Sequence, residues 1–346
     1  MTPVPHSRPY LDTESASALA AVLGTYMIGE GTLAGAFQQR MSSWVGASGG
    51  IAVGSGTAAL SLALRALDIG PGDGVVFPSY SCRSLLLAIN SVGAVAQPCD
   101  VGANWLLEAD QVGTVIDSRT KAIIVPHLYG FWADITAFQR FGLPIIEDFA
   151  QAIGADKERS LIGAIGAFSF HPTKCITTGE GGMCVTSNSS LLKRLSNIRN
   201  GTLNTGAIFA PLSDLSSALG LSQLSQYPRF LARRRAIVNS YKNALGQHVT
   251  RLAPWLNRDN WIGFRFPIRI SGGLSAVAGA FAEQGIIVRR GVDELIHRDL
   301  ERADYQFPNS VRHFNETVSL PLHPSLSDEE VTRCINAARS ILRGSI

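Results

Sequence analysis

The chain has 346 residues, 46% of them hydrophobic and 16% charged, which is enough for a large core and one or two domains. A net charge of +3 with no dense basic run excludes an electrostatic binder of nucleic acid or of an anionic membrane. Five scattered cysteines (Cys82, Cys99, Cys175, Cys184, Cys334) with no CxxC pair argue against a disulfide framework or a zinc site; with no apolar leader after Met1 and no membrane-length apolar run, the expectation is a soluble cytoplasmic protein without metal.

In chain order, residues 12–23 and 32–45 read as helices around the Gly-punctuated turn Tyr26–Gly31. A short buried strand then leads through Val53-Gly-Ser-Gly-Thr57 into a helix reaching Leu67. Gly54 and Gly56 permit tight backbone there, Ser55 or Thr57 can cap, and the open amides of the helix attract an anion; the plainer reading is an ordinary strand-to-helix turn. Strands follow at Val75–Phe77, Ala94–Pro98 and Lys121–Gly130, with the loop Pro78-Ser-Tyr-Ser-Cys-Arg-Ser84 and an apolar helix through Ile89 after the first of them. This alternation of short Val/Ile/Phe runs with helical segments continues to about residue 200 and predicts βαβ units on a mostly parallel sheet. His127 and Tyr129 fall at a strand's carboxyl edge, where a structural histidine and a functional one are equal readings.

Beyond the second half of that sheet, residues 189–199, 213–226 and 230–245 read as helices. Within the last of them, Arg233-Arg-Arg235 reads as a solvated helix face or salt-bridge site. A smaller α+β unit follows, with strands at Trp261–Ile270, Ile286–Arg290 and Val318–Leu320 and a terminal helix from Asp328. The expected division is a large domain over residues 1–235 and a small one over 236–346.

The chemistry centres on Lys174. The strand-like Ala167-Phe-Ser-Phe170 enters a Pro-bearing turn with Ser169, His171, Thr173 and Lys174, before Gly179, Gly181 and Gly182 and a second apolar run. A lysine held between two buried strands is desolvated, which favours the neutral, nucleophilic amine and imine chemistry. Upstream, Leu143-Pro-Ile-Ile-Glu-Asp-Phe-Ala-Gln151 reads as a buried strand with Asp148 at its carboxyl end. A lysine that can form a Schiff base and an acid that can keep a pyridine nitrogen protonated are what pyridoxal phosphate requires. The bland alternative makes Asp148 a helix cap.

Ile146-Glu-Asp-Phe-Ala-Gln151, Phe168-Ser-Phe-His-Pro-Thr-Lys174 and Gly179-Glu-Gly-Gly182, in that order, resemble the pyridoxal-phosphate sugar aminotransferases of the DegT/StrS group, and the similarity runs from about Val4 to about Leu342. The resemblance implies the aspartate aminotransferase type of fold (fold type I) and a homodimer with its active site near the interface. It implies amino transfer from an amino-acid donor to a keto-sugar, nucleotide-linked, or to another small carbonyl compound. Lys174 would form the Schiff base and shuttle the proton, Asp148 would hold the ring nitrogen and Gln151 the phenolic oxygen, and Ser169, Gly56 and Thr57, with Ser55 beside them, would take the phosphate.

Two positions depart from the family pattern. Where the family has an aromatic that stacks on the cofactor ring this chain has Cys82, with Tyr80 as a substitute. Where a polar side chain reaches the neighbouring subunit's phosphate this chain reads Ala207-Ile-Phe-Ala-Pro-Leu-Ser-Asp214; Asn204 is a candidate to fill that role. The substrate-facing segment Arg289-Arg-Gly-Val-Asp-Glu-Leu-Ile-His297 offers Arg289, Arg290 and His297 to an anionic substrate, or simply solvates a loop, with His171 and Tyr129 as further substrate candidates. Three competing readings are a non-transaminating paralogue acting as partner or regulator, a deoxygenating dehydratase and a cysteine desulfurase. The dehydratase is disfavoured because Lys174 is present, and the desulfurase because Cys334 lies in a helical segment.

Overall fold

The computed structural model describes residues 2–154, 160–203, 209–246 and 261–342. Its centre is a seven-stranded sheet in the order β1-β7-β6-β5-β4-β2-β3, formed by Gly49–Val53 (β1), Gly74–Pro78 (β2), Val95–Cys99 (β3), Thr120–Pro126 (β4), Ile145–Asp148 (β5), Ile165–Ser169 (β6) and Gly182–Thr186 (β7). Strands β6, β5, β4, β2 and β3 are mutually parallel, and β7 runs antiparallel to both β6 and β1. The carboxyl ends of every strand except β7 therefore open on one edge of the sheet, where an open α/β sheet presents its ligand groups.

The apolar runs alternate faces with the two-residue period of a strand. Val75, Phe77, Ala122, Ile124, Ile146 and Ala167 pack with helices Gly56–Ala66 (α3) and Ser84–Ser91 (α4). On the other face, Ala52, Phe168, Met183 and Val185 pack with Thr32–Trp44 (α2) and with Leu224, Tyr227, Phe230 and Leu231 of a long helix, Asp214–Leu245 (α7). That double cover is why these strands read as nearly unbroken hydrophobic runs rather than as alternating ones.

Helix α7 corrects the expectation of two helices at 213–226 and 230–245. It passes unbroken through Pro228. An interior proline removes one backbone hydrogen bond and costs about 3 kcal/mol, but Leu224, Tyr227, Phe230 and Leu231 on one side and Ile237, Val238, Tyr241 and Leu245 on the other are all buried, and burial at about 1.5–3 kcal/mol per large side chain outweighs the break. The basic cluster on this helix is also not a uniformly solvated face. Arg234 is buried, its Nη1 donating to the carbonyls of Gly263, Phe264 and Leu322 at 2.9–3.2 Å. Arg233 pairs with Asp328 at 2.7 Å.

The second sheet is small and antiparallel, in the order β8-β10-β9, from Phe266–Arg269 (β8), Arg289–Arg290 (β9) and Thr317–Leu320 (β10). The strands expected at Trp261–Ile270 and Ile286–Arg290 are thus shorter. Trp261 makes an isolated bridge with Phe131 and Ile286 one with Val4. The core of this unit takes in Ile237, Val238, Tyr241 and Leu245 of α7 together with Val4, Tyr80, Trp105, Tyr129 and Phe131 from the other side of residue 235. No described helix is long and apolar enough to cross a membrane.

Two buried histidines tie the small unit to the rest. His313 Nε2 donates to Gly102 O at 2.9 Å and His323 Nε2 to Pro5 O at 3.1 Å. Burial pushes both down to about 4, against the carbonyls of Gly102 at His313 and of Pro5 at His323, which favour the charged ring; Arg269 and Arg312 add to the lowering at His313 and Arg234 and Arg8 at His323, with smaller opposition from Asp100 and Glu330. Their native pKa values lie below the unfolded value, so stability is present above about 6.5 and is lost as pH falls towards 4, while the unfolded chain takes up protons that the native one refuses. At pH 5 the loss is on the order of 2 kcal/mol for each histidine. The urea midpoint should accordingly fall between pH 7 and pH 5, and less steeply in His313→Gln; equal slopes for variant and wild type would contradict this.

Candidate active site

One cavity of about 560 Å³ lies at the carboxyl edge of the large sheet, between the two units. Its wall includes Ser55, Gly56, Thr57, Cys82, Asp148, Gln151, Ser169, His171, Lys174 and Arg289, so most of the residues singled out from sequence converge on one space. The positions follow from the topology. Asp148 ends β5 and Ser169 ends β6, Lys174 sits on the turn that β6 feeds, and Ser55-Gly-Thr57 joins β1 to α3.

At the α3 end, Ser55 is the N-cap, its Oγ accepting from Ala58 N at 3.1 Å. The first amides of α3, on Gly56 and Thr57, have no turn of helix before them to bond, and they carry the positive end of the helix dipole. A Cβ on Gly56 would lie 2.6 Å from Ser169 Cβ, and one on Gly182 would strike the Ser55 carbonyl. Glycine at both places lets the helix terminus sit close against the end of β6. The result is a cradle for an anion the size of a phosphate, with hydroxyls at Thr57 and Ser169.

The centre holds the lysine and the acid. Lys174 is half-buried, and burial pulls its pKa down while Asp148 pushes back. Asp148 is buried and shifted upward by desolvation, against the Ala150 amide, which donates to its Oδ1 at 2.9 Å, and against Lys174 and His127. Gln151 Oε1 accepts the Tyr129 amide at 2.8 Å. This fixes which way the side-chain amide points, because an N–H can only donate, and it leaves the Gln151 NH₂ to serve an acceptor in the cavity. His127, also on the wall, donates Nε2 to Glu147 at 3.0 Å and accepts the Ala133 amide on Nδ1 at 3.1 Å, so both ring nitrogens are committed to structure.

Three expected residues lie elsewhere. Tyr80 is no substitute for the missing aromatic: it points into the core beneath the cavity and its hydroxyl meets that of Tyr129 at 2.7 Å. Tyr129 is buried with it, on a backbone of φ 58°, and does not reach the cavity. A Cβ on Gly291 would collide with both tyrosine hydroxyls, so the pair acts as the floor on which the loop after β9 rests. His297 is fully buried between Ser79 Oγ at 2.6 Å and Asp304 Oδ1 at 3.1 Å, with its ring stacked on Phe307 at 4.1 Å. It clasps the loop after β2 to the small unit and touches no substrate space. Cys82 keeps the cavity position and is exposed. Asn204 lies outside the described residues.

Sequence reasoning missed Arg265, His6, Ser7, Asp293 and Glu294, all on the wall. The signal for Arg265 was there, a lone cation within the apolar run Ile262–Ile268. His6 had none, since it reaches the cavity only because Val4 bridges Ile286.

A lysine of lowered pKa, a buried strand-end acid and an anion cradle in one cavity fit pyridoxal 5′-phosphate and mark the class as a pyridoxal-phosphate enzyme. The chain matches the DegT/DnrJ/EryC1/StrS aminotransferase family over residues 9–339 and belongs to it. SpsC of Bacillus subtilis (strain 168), a spore coat polysaccharide biosynthesis protein, is 28% identical, the match covering 99% of this chain and 98% of that protein. Spr1654 of Streptococcus pneumoniae, classed as a sugar aminotransferase and solved in PMP and PLP forms, superposes in its PMP form with a TM-score of 0.89 at 25% identity over 99% of each chain. DesV of S. venezuelae, solved with a ketimine intermediate, gives 0.87 at 27% identity over 97% of this chain and 98% of its own. The fold is therefore that of the type I pyridoxal-phosphate aminotransferases, and pyridoxal 5′-phosphate is the cofactor.

Proposed function

We propose that this sugar-aminotransferase-family enzyme moves an amino group from an amino-acid donor to a keto-sugar carried on a nucleotide. The observation that carries this reading is the meeting of Lys174, Asp148 and the α3 terminus in a cavity of about 560 Å³ that reaches beyond them to a polar rim with His171, Arg83, Arg289, Asp293 and Glu294. The cofactor, when bound, supplies an aldehyde carbon that links to amines and a ring that draws electrons from the carbon so linked. Lys174 would hold that aldehyde, and its amine, when free, would move the proton at the donor's α-carbon. Asp148 would keep a proton on the ring nitrogen, the NH₂ of Gln151 would serve the ring's phenolic oxygen, and Thr57, Ser169 and the α3 amides would hold the phosphate.

In this reading the rim takes the sugar, with His171 and Arg289 at its charged groups, and the large unit through residue 235 binds cofactor while the small one from 236 shapes the substrate side. The enzyme works as a homodimer in the cytoplasm; an apolar patch of exposed Leu23, Tyr26, Met27 and Ile28 supports association. Light scattering at twice the chain mass and cell fractionation check those two points. The function itself is tested by a spectral screen. Amino donors should bleach the visible band of the Lys174-linked cofactor, and a nucleotide-linked keto-sugar should restore it. A band that no amino acid moves would sink the reading, and one restored only by free 2-oxo acids would remove the sugar.

A further inference from the structure

Five non-glycine residues take left-handed backbone among the described residues. Tyr26, Asp68 and Glu301 are exposed, whereas Trp105 and Tyr129 are buried and pack edge to face at 5.3 Å. A bulky side chain keeps that conformation inside a core only where its surroundings over-determine it, and such strain gathers at functional sites. At Tyr129, with φ 58° and ψ 10°, both backbone polar groups are in use. The amide donates to Gln151 Oε1 at 2.8 Å, and the carbonyl accepts Trp261 Nε1 at 2.9 Å.

What holds this turn lies behind the cavity. The Tyr129 hydroxyl meets that of Tyr80 at 2.7 Å, Tyr80 also bonds Thr317 of β10, and Thr317 Oγ1 accepts Trp105 Nε1 at 3.0 Å. An indole N–H can only donate, so Thr317 has its proton free for Tyr80, and Tyr80 has its own free for Tyr129. The loop after β9 closes over both tyrosine hydroxyls at Gly291, where any Cβ would collide with them. Gly130 follows at φ 87°, and a Cβ there would lie 2.7 Å from Ile262 Cγ1. The hydroxyl, the carbonyl and the next residue are thus fixed largely from the side of the small sheet, while the amide serves the cofactor cavity.

We propose that Tyr80 and Tyr129 are positioning residues for the cofactor: their hydroxyl pair pins the left-handed turn, and the Tyr129 amide then holds Gln151 with its NH₂ on the cofactor's phenolic oxygen. The proposal rests on the placement of Gln151 at that oxygen. Released from the Tyr129 amide, Gln151 is free to turn its own carbonyl to the cavity, where an acceptor would face an acceptor. Neither tyrosine touches a ligand, and both act one layer behind it.

The test reads the cofactor of the holoenzyme rather than its turnover. The proton on the imine that links Lys174 to the cofactor is shared with the phenolic oxygen beside it, and a donor on that oxygen draws off the charge that retains the proton. Spectrophotometric pH titration of the visible band should therefore give an imine pKa raised by about one to two units in Gln151→Ala, the size of a hydrogen bond to a charged acceptor. Tyr129→Phe and Tyr80→Phe should each raise it by about half a unit or more, and neither should add to it in the Gln151→Ala background, because they act through that side chain. Either tyrosine variant suffices if the other fails to fold. Tyr241→Phe, which strips a buried hydroxyl from Pro321 O, is the control and should lower the melting temperature while leaving the imine pKa in place. An unmoved pKa in the tyrosine variants, a shift that persists without Gln151, or an equal shift in Tyr241→Phe overturns the proposal. No shift in Gln151→Ala itself would remove Gln151 from the phenolic oxygen and the proposal with it, a failure of the underlying placement rather than of the tyrosine pair. The titration needs neither donor nor sugar, so it holds whichever amine and carbonyl the enzyme takes.

Discussion

Lys174→Ala is expected to lose the borohydride-reducible link to the cofactor altogether and to lower transamination by at least ~10²–10⁴-fold, the range that a positioned proton-transfer group supplies. The fold should survive. No hydrogen bond from the Lys174 ammonium is found among the described residues, so its removal orphans no hydrogen-bond partner; Asp148 loses a nearby cation, but the burial that already depresses the lysine's charge is relieved. The anion cradle at Gly56 and Ser169 is untouched, so the variant should still bind the cofactor non-covalently and melt as the wild type does. A variant with a third or more of wild-type activity would remove Lys174 from the reaction.

The second large effect is that of Asp148→Asn, where activity and stability should move in opposite directions. The amide keeps the shape and can still accept the Ala150 N–H. It cannot hold a proton on the ring nitrogen, a loss of a charged hydrogen bond worth about 1.5–3 kcal/mol, and more where charge develops in the transition state. In the cofactor-free protein the sign reverses. Burial raises the native pKa of Asp148 above its unfolded value, so the native state binds this proton more tightly. Its contribution to stability is greatest below the unfolded pKa and is lost as pH rises through the native one. Asparagine has no such loss, and the apo variant should melt higher than apo wild type at neutral pH. An activity loss below about threefold, under ~1 kcal/mol, would reduce Asp148 to the capping role that its contact with Ala150 also suggests.

What was legible in the sequence was whatever a strand's end dictates. Asp148 and Ser169 each close a short apolar run, and the turn after β6 has few ways to present Lys174, so their convergence could be read from spacing. Gly56 was legible as a glycine where a strand hands over to a helix, a pattern that an ordinary turn shares, and its phosphate role came from the family resemblance. The residues that went astray sit on loops. Along Pro78–Ser84, Tyr80 turns inward and Cys82 outward, and nothing local decides which; the choice is made by the Tyr129 hydroxyl, 49 positions away. His297 was drawn to the site by its neighbours in sequence and held off it by Ser79, 218 positions away. Arg265 stood out in the sequence as a lone cation within the apolar run Ile262–Ile268, but its place on the cavity wall is set by tertiary packing, which no pattern of residues displays.

The unbroken helix α7 has a mechanical meaning. Over 32 residues, at about 1.5 Å per residue, it is a rod of about 48 Å, and it is rooted in the core of the large sheet at one end and in that of the small sheet at the other. Neither core can open without stripping apolar side chains from a rod that the other still grips. Sub-global unfolding that releases one sheet alone is thereby suppressed, and the slowest-exchanging amides of the two sheets share a single opening reaction. A chain with two sheets is thus expected to denature as one cooperative body.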